Sequence, residues 1–309
     1  MRGFFYLILT GLFLGTIGIW AKLIASDISP FLLTVFRTMI AAAFILVLIV
    51  LSRNIKTAEN LRIRKKDVIP FLIASFFGVA IGLGFYIKSF SYVPVANAVV
   101  LVYVYPVVTA FLSFVFLREK ITRWEIAALI LILAGVWSIY GPEINTASDA
   151  TGNMFAIVAG LGYSVFIVSM RYFEEKGYKY WNVTFWPLVL GGMMLILFMP
   201  FEPLSFSLSG LIPFYVLGLG LVTFFGYIFY AEGLKTTKAS DAVIIAALTE
   251  PLTAIALAFL ILGESVPEYV LIGGTLIIAA NVIAGNEHRK KRIEKTKQKA
   301  EKEGFGWVW

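Results

Sequence analysis

The 309-residue chain contains no cysteine, so disulfide frameworks, thiolate nucleophiles and zinc–thiolate sites are all excluded. It contains one histidine, His288, which lies in a charged stretch near the end of the chain. No histidine-centred acid–base or metal site can therefore be built inside the protein. Charge is scarce: 15% of residues are Asp, Glu, Lys or Arg, against 60% apolar, where a soluble domain carries about 25% charged residues. Glycine-rich phosphate loops and a recognisable ATPase segment are missing, which argues against a primary pump.

What is present is a series of long apolar blocks. A helix needs roughly 20 apolar residues to cross a hydrocarbon core of about 30 Å. Ten blocks approach that length, at about 3–25, 31–51, 68–88, 94–117, 124–141, 153–172, 182–200, 211–231, 240–262 and 267–285. Lipid supplies no hydrogen-bond partners, so these blocks must be helices or a closed barrel. Barrel strands are about ten residues of alternating character, a pattern not found here. The expected fold class is an all-α polytopic membrane protein with ten transmembrane helices. The first block is longer than a signal-peptide core and shows no small-residue cleavage site, so it is expected to be a true span.

The charges give an orientation. With the N-terminus in the cytoplasm and ten alternating spans, 23 of the 26 basic residues fall in cytoplasmic segments, including Arg62, Arg64, Lys65 and Lys66, Arg171 to Lys179, and the tail cluster Arg289 to Lys302. The outside loops hold none. The positive-inside rule then places both termini in the cytoplasm of a plasma-membrane protein. The net charge of +7 is thus a topology signal. It does not imply nucleic-acid binding, and contact of the tail with anionic lipid headgroups is secondary.

The chain also repeats itself. Pro106, Leu112, Phe114, Leu117, Glu119, Leu131 and Ala134 recur 145 residues later as Pro251, Leu257, Phe259, Leu262, Glu264, Leu276 and Ala279. Likewise Gly3, Gly11, Leu12 and Lys22 align with Gly152, Gly160, Leu161 and Arg171. An odd number of spans per copy inverts the second copy across the bilayer, an arrangement characteristic of secondary transporters with a site between the halves. The expected organisation is a first five-helix repeat over 1–141, an outside linker over 142–151, a second repeat over 152–285, and a basic cytoplasmic tail over 286–309.

Several local patterns resemble the EamA-type family of the drug/metabolite transporter superfamily. Trp20-Ala21-Lys22 ends the first span; Arg37 follows Pro30 by seven residues; Pro106 precedes Leu117-Arg118-Glu119-Lys120-Ile121; and Glu250-Pro251 precedes Leu262-Gly263-Glu264. The resemblance covers residues 1–285. It departs from the family pattern at Arg118, where a small residue is usual, and at Asn281, which falls where the first half has Val136. It implies two inverted five-helix repeats and a carrier of small organic molecules, often an exporter of amino acids or related metabolites, with no cofactor.

Charges held in lipid cost at least about 2.5–3.5 kcal/mol near a helix centre and so need a reason to be there. Glu250 is the deepest, and Pro251 after it removes a backbone donor. A carboxyl so placed can accept a proton, bind a substrate amine or anchor a neighbouring helix. Arg37 lies in the outer third and is expected to face protein, available to a substrate carboxylate or to Glu250. Lys22 and Lys88 sit near the ends of their spans, where snorkelling to the interface is the plainer reading. Tyr103, Tyr163 and Trp186 are too deep to be interfacial anchors and are therefore cavity candidates. Asn97 occupies the place matched by Asp241 in the second copy, a helix-start position. Glu119 and Glu264 are expected to bind free amides at the start of the next helix. The candidate substrate or coupling residues are thus Glu250, Arg37, Tyr103, Tyr163, Trp186, Asn97 and Lys22. The expected partners are a small-molecule substrate, the lipid bilayer and protons, with no nucleic acid. A membrane enzyme lacks its catalytic groups here. The alternative that stays open is a channel-like or scaffold protein without carrier activity.

Overall fold

The computed structural model describes residues 2–51, 61–117, 123–140, 147–236, 239–280 and 282–283. These residues are helical almost throughout; the exception to helix pairing is an isolated antiparallel bridge between Ile28 and Phe206. Among the described residues, seven helical stretches are long and apolar enough to cross a membrane: Gly3–Ile24, Pro30–Leu51, Lys65–Ser89, Val95–Phe116, Ala150–Met170, Tyr180–Phe201 and Ile212–Tyr230. Shorter apolar helices cover Ile126–Ser138, Thr249–Leu262 and Glu268–Ala280. The protein is therefore an all-helical multi-pass membrane protein, as its composition demands.

Many of the long stretches are not uniform α-helix. The first is divided at Thr16 into helices Arg2–Gly15 and Ile17–Ile24. The third is wound over Ala74–Leu83 as a π-helix, continued by helix Gly84–Ser89. Such widened turns concentrate at functional positions. The fourth is interrupted between helices Val95–Val102 and Tyr105–Leu117. Pro106 explains that interruption: it has no N–H to offer the carbonyl of Val102, one turn earlier. The Val102 oxygen turns instead against Gly160, where an added Cβ would lie only 2.6 Å from it.

Glycines let the helices approach backbone to backbone, and they sort the spans into two groups. In the first group, Gly11 and Gly15 of the opening span lie against Thr249, Glu250 and Thr253 of helix Ala239–Leu262. Gly226 and Gly220 of helix Ile212–Thr236 receive Leu14 and Ile40. In the second group, Gly82 lies against the Tyr163 amide, Gly162 against the Phe77 carbonyl, and Gly191 against Val79 and the Ser75 carbonyl. This joins the π-helical span to helices Ala147–Glu175 and Tyr180–Met194, and Gly160 adds the interrupted Val95–Leu117 span. The two groups meet along Pro30–Leu51 and Tyr180–Met194, where Gly192 faces Thr38 and Met39.

Candidate functional site

A cavity lies where the two groups face each other. Its lining comes from both: Leu14, Ile17, Arg37, Tyr227 and Glu250 from the first, and Gly82, Leu83, Tyr86, Val102, Tyr103, Tyr105 and Tyr163 from the second. Its volume is about 40 Å³, room for roughly three waters at ~10–15 Å³ each. Arg37 lies seven residues into its helix, about 10 Å from its start, and Glu250 eleven residues into its own, about 16 Å, at 1.5 Å per residue. The cavity therefore lies well inside the helix bundle, about 10–16 Å along the helices that carry its charged groups.

Each charged group is held by a specific partner. Arg37 is 2% exposed, and its Nε donates to Thr223 Oγ1 at 2.7 Å. Thr223 donates in turn to the Leu219 carbonyl at 2.8 Å, which turns its lone pairs toward the guanidinium. Arg37 Nη1 has no hydrogen-bond partner among the described residues. Glu250 is half-buried and faces the cavity. Its Oε2 accepts the Tyr103 hydroxyl at 2.8 Å. Tyr103 can reach it because it sits in the Pro106 interruption, where the chain leaves helical geometry. Arg37 and Glu250 thus share one cavity without forming an ion pair with each other. Tyr103, Tyr105 and Tyr163 pack in sequence, with ring centroids 5.4 Å apart for the first pair and 4.9 Å for the second. The wall is therefore aromatic with polar tips, and can offer both apolar contact and hydroxyl groups to a small solute.

Four of the residues singled out in the sequence, Glu250, Arg37, Tyr103 and Tyr163, are brought together here. The other three are not. Trp186 donates its indole N–H to the Leu61 carbonyl and packs with Phe71, Phe173 and Tyr178 at the far end of its span. Its depth along the helix is offset by the 61–67 segment, mostly exposed itself, whose Leu61 carbonyl supplies the partner that the indole needs. Asn97 is 1% exposed, two residues into a helix whose first-turn amide is capped by another chain segment; it is buried away from the cavity lining. Lys22 lies 3.9 Å from Glu264, near the rim. Lys88 does not snorkel: its ammonium is 2.6 Å from the nearly buried Glu202 carboxylate and lies over the Phe31 and Tyr92 rings. Glu264 does cap a helix, but the helix is the one starting at Val95. Glu119 lies outside the described residues.

Nothing in the sequence singles out Thr223 or Glu202. A lone threonine in an apolar run carries no signal, and a glutamate beside Pro203 reads as a loop. A second cluster sits at the opposite end, where Asp67, fully buried, accepts the Lys176 ammonium and the Tyr178 hydroxyl. Hydrogen bonds to Asp67 and Tyr172 hold the Lys176 ammonium above its ordinary value, and burial raises the Tyr178 phenol.

Comparison with known proteins gives a consistent picture. A model of the EamA-like transporter family matches residues 1–141 and 150–285. A protein of Clostridium kluyveri described as an uncharacterized transporter is 26% identical over 299 residues, covering 94% of each chain. Another uncharacterized transporter, from Archaeoglobus fulgidus, is 33% identical over 205 residues, covering 65% of this chain and 71% of its own. A crystal structure superposes with a TM-score of 0.65 at 20% identity, covering 93% of this chain and 98% of the other, which shows a shared fold.

Proposed function

The chain belongs to the EamA-like transporter family, and from that premise we propose that it is a secondary exporter of small organic metabolites of the amino-acid kind, working by alternating access around the central cavity. Membership makes it a transporter of small molecules and not an enzyme. Direction, substrate and coupling are our reading. The observation that carries it is the pairing of Arg37 and Glu250 on one cavity without an ion pair between them. A cation and a carboxyl held apart by their own partners present opposite ends to a solute bearing both a carboxylate and an amine. Burying such groups unbridged is costly, and a zwitterion would offset that cost.

In the same reading, ten helices form two inverted five-helix repeats, with both termini in the cytoplasm and the cavity reached alternately from each side. The two stretches matched by the family model and the 145-residue sequence repeat support this arrangement, and the placement of 23 of 26 basic residues supports the orientation. Glu250 takes up a proton when the substrate amine leaves it, which couples export to proton entry.

Purified protein in proteoliposomes, supplied with a panel of radiolabelled amino acids with and without a pH gradient, tests the proposal. Saturable flux that responds to the gradient is expected. Flux that never saturates would indicate a channel, and an absence of flux for every amine- and carboxylate-bearing solute would remove this substrate class.

A further inference from the structure

The end of the molecule that carries Lys22 is closed by one construction used twice. Pro30 and Pro94 each stand at a helix start, at the first position and at the N-cap. Proline has no N–H, so the first amide each helix must satisfy belongs to the next residue, Phe31 or Val95. Both amides are capped by a glutamate from the other helix group. Glu202 follows Leu195–Phe201 in the second group, and its Oε1 accepts the Phe31 amide at 3.0 Å. Glu264 follows helix Ala239–Leu262 in the first group, and its Oε2 accepts the Val95 amide at 2.8 Å.

The second oxygen of each carboxylate faces a lysine that ends another span. Glu202 Oε2 is 2.6 Å from Lys88, and Glu264 Oε1 is 3.9 Å from Lys22. Backbone contacts reinforce the closure. The Ser29 amide donates to the Ser205 carbonyl at 3.0 Å, and the Ser207 amide to the Asp27 carbonyl at 2.9 Å. Gly18 lets Val95 approach the first span at the same level.

We propose that Glu202 and Glu264 are paired latches of a gate that closes the cavity at the Lys22 end, so that both must release their amides for the cavity to open there. The inference rests on the alternating-access reading. A cap made by the helix's own N-cap residue would travel with the helix. A cap donated across groups is lost when the groups separate. The exchange is reversible at this level because the Lys22 and Glu264 side chains are already 29% and 14% exposed, so water can reach the parting groups as the helix groups separate. There water replaces each lost partner and leaves the net cost small. At the Tyr103–Glu250 level the same exchange would take place in a cavity of only about 40 Å³, where few waters can replace a lost partner.

The cysteine-free chain provides a test that needs no substrate. A single reporter, Ile17→Cys on the cavity wall, is labelled with a membrane-impermeant maleimide in right-side-out and in inverted vesicles. Removing both latches with Glu202→Ala and Glu264→Ala should raise the labelling rate at least tenfold from the side on which Lys22 lies, and lower it from the other. An unchanged rate in monodisperse protein would overturn the proposal. Should the double alanine variant fail to purify as a monodisperse species, Glu202→Gln with Glu264→Gln decides. That pair keeps neutral acceptors for the amides but loses the lysines, and a severalfold rise is expected. Labelling equal to the parent would overturn the proposal in that case as well. Because both vesicle orientations are measured, a reversed topology appears as the same rise from the opposite side. A failed substrate assay leaves the result unaffected.

Discussion

Tyr103 and Glu250 are joined by a 2.8 Å hydrogen bond that crosses between the two helix groups inside the cavity. One residue stands in the Pro106 interruption and the other immediately before Pro251, so the two matching prolines of the sequence repeat flank a single contact. The first prediction concerns this pair. Glu250→Gln should insert and purify normally yet lose gradient-driven transport, because its amide cannot exchange a proton or pair with an amine. Tyr103→Phe removes one hydrogen bond, worth about 1 kcal/mol net, and should slow transport by a factor of about five. Gradient-dependent flux at parental rates in Glu250→Gln would exclude the carboxyl from coupling.

Arg37 depends on Thr223 for its aim. Thr223→Val keeps the side-chain shape but leaves the Nε donor buried without its acceptor, a cost of about 1–3 kcal/mol. The predicted effect is a rise in KM for carboxylate-bearing solutes with a smaller change in maximal rate, and Thr223→Ser should restore it. Arg37→Ala should abolish transport of zwitterions while sparing cationic analogues. Equal loss of both classes would reduce Arg37 to a structural role.

The opposite end has an alkaline limit. Lys176 and Tyr178 both titrate above their ordinary values of 10.5 and 10.0 in the folded protein. A group whose folded value is raised contributes stability that is complete below its unfolded value and is lost as pH climbs through the folded one. Thermal stability in detergent should therefore stay level, as far as these groups are concerned, from neutrality to about pH 9–10 and fall above that. Lys176→Met should flatten the alkaline decline. Asp67→Asn, which takes the anion away from both partners, should lower the melting temperature by on the order of 5 °C. Melting curves across pH for the three proteins check this, and superimposable alkaline limbs would contradict it.

The π-helical span is locked to its neighbour through glycine. A Cβ at Gly162 would run into the Phe77 carbonyl and come within 2.9 Å of the Gly82 amide. Both are backbone atoms that no side-chain rotation can clear. Gly162→Ala should cost about 1–3 kcal/mol through overpacking, read as a lower melting temperature with reduced yield. Gly177→Ala makes a useful contrast. At φ +81° it meets nothing within 4 Å, so any cost there is conformational.

The spans were legible because length and apolarity are properties of the chain itself, and the deep charges Arg37 and Glu250 stood out because lipid makes them costly. Which way a side chain points was harder to read. In helices that are apolar on every face, no stripe of polar residues marks the inward side. Tyr103 and Trp186 therefore looked equivalent by depth, although one reaches Glu250 and the other the Leu61 carbonyl. The pairing of Lys88 is hidden from the sequence for a related reason. Snorkelling is the default for an isolated lysine, and its partner Glu202 lies 114 residues away. For Glu264, sequence proximity favours the helix that follows it, whereas it caps the helix starting at Val95.

The central claim is that a half-buried carboxyl and a buried guanidinium held apart on one cavity move a zwitterionic solute in exchange for protons. The most direct measurement is the proton flux that accompanies amino-acid flux in proteoliposomes, compared between the parent protein and Glu250→Gln. The account predicts that substrate addition drives proton movement in the parent, and that Glu250→Gln carries neither proton nor gradient-driven solute. Amino-acid flux in the parent with no accompanying proton movement, unchanged by Glu250→Gln, would contradict it.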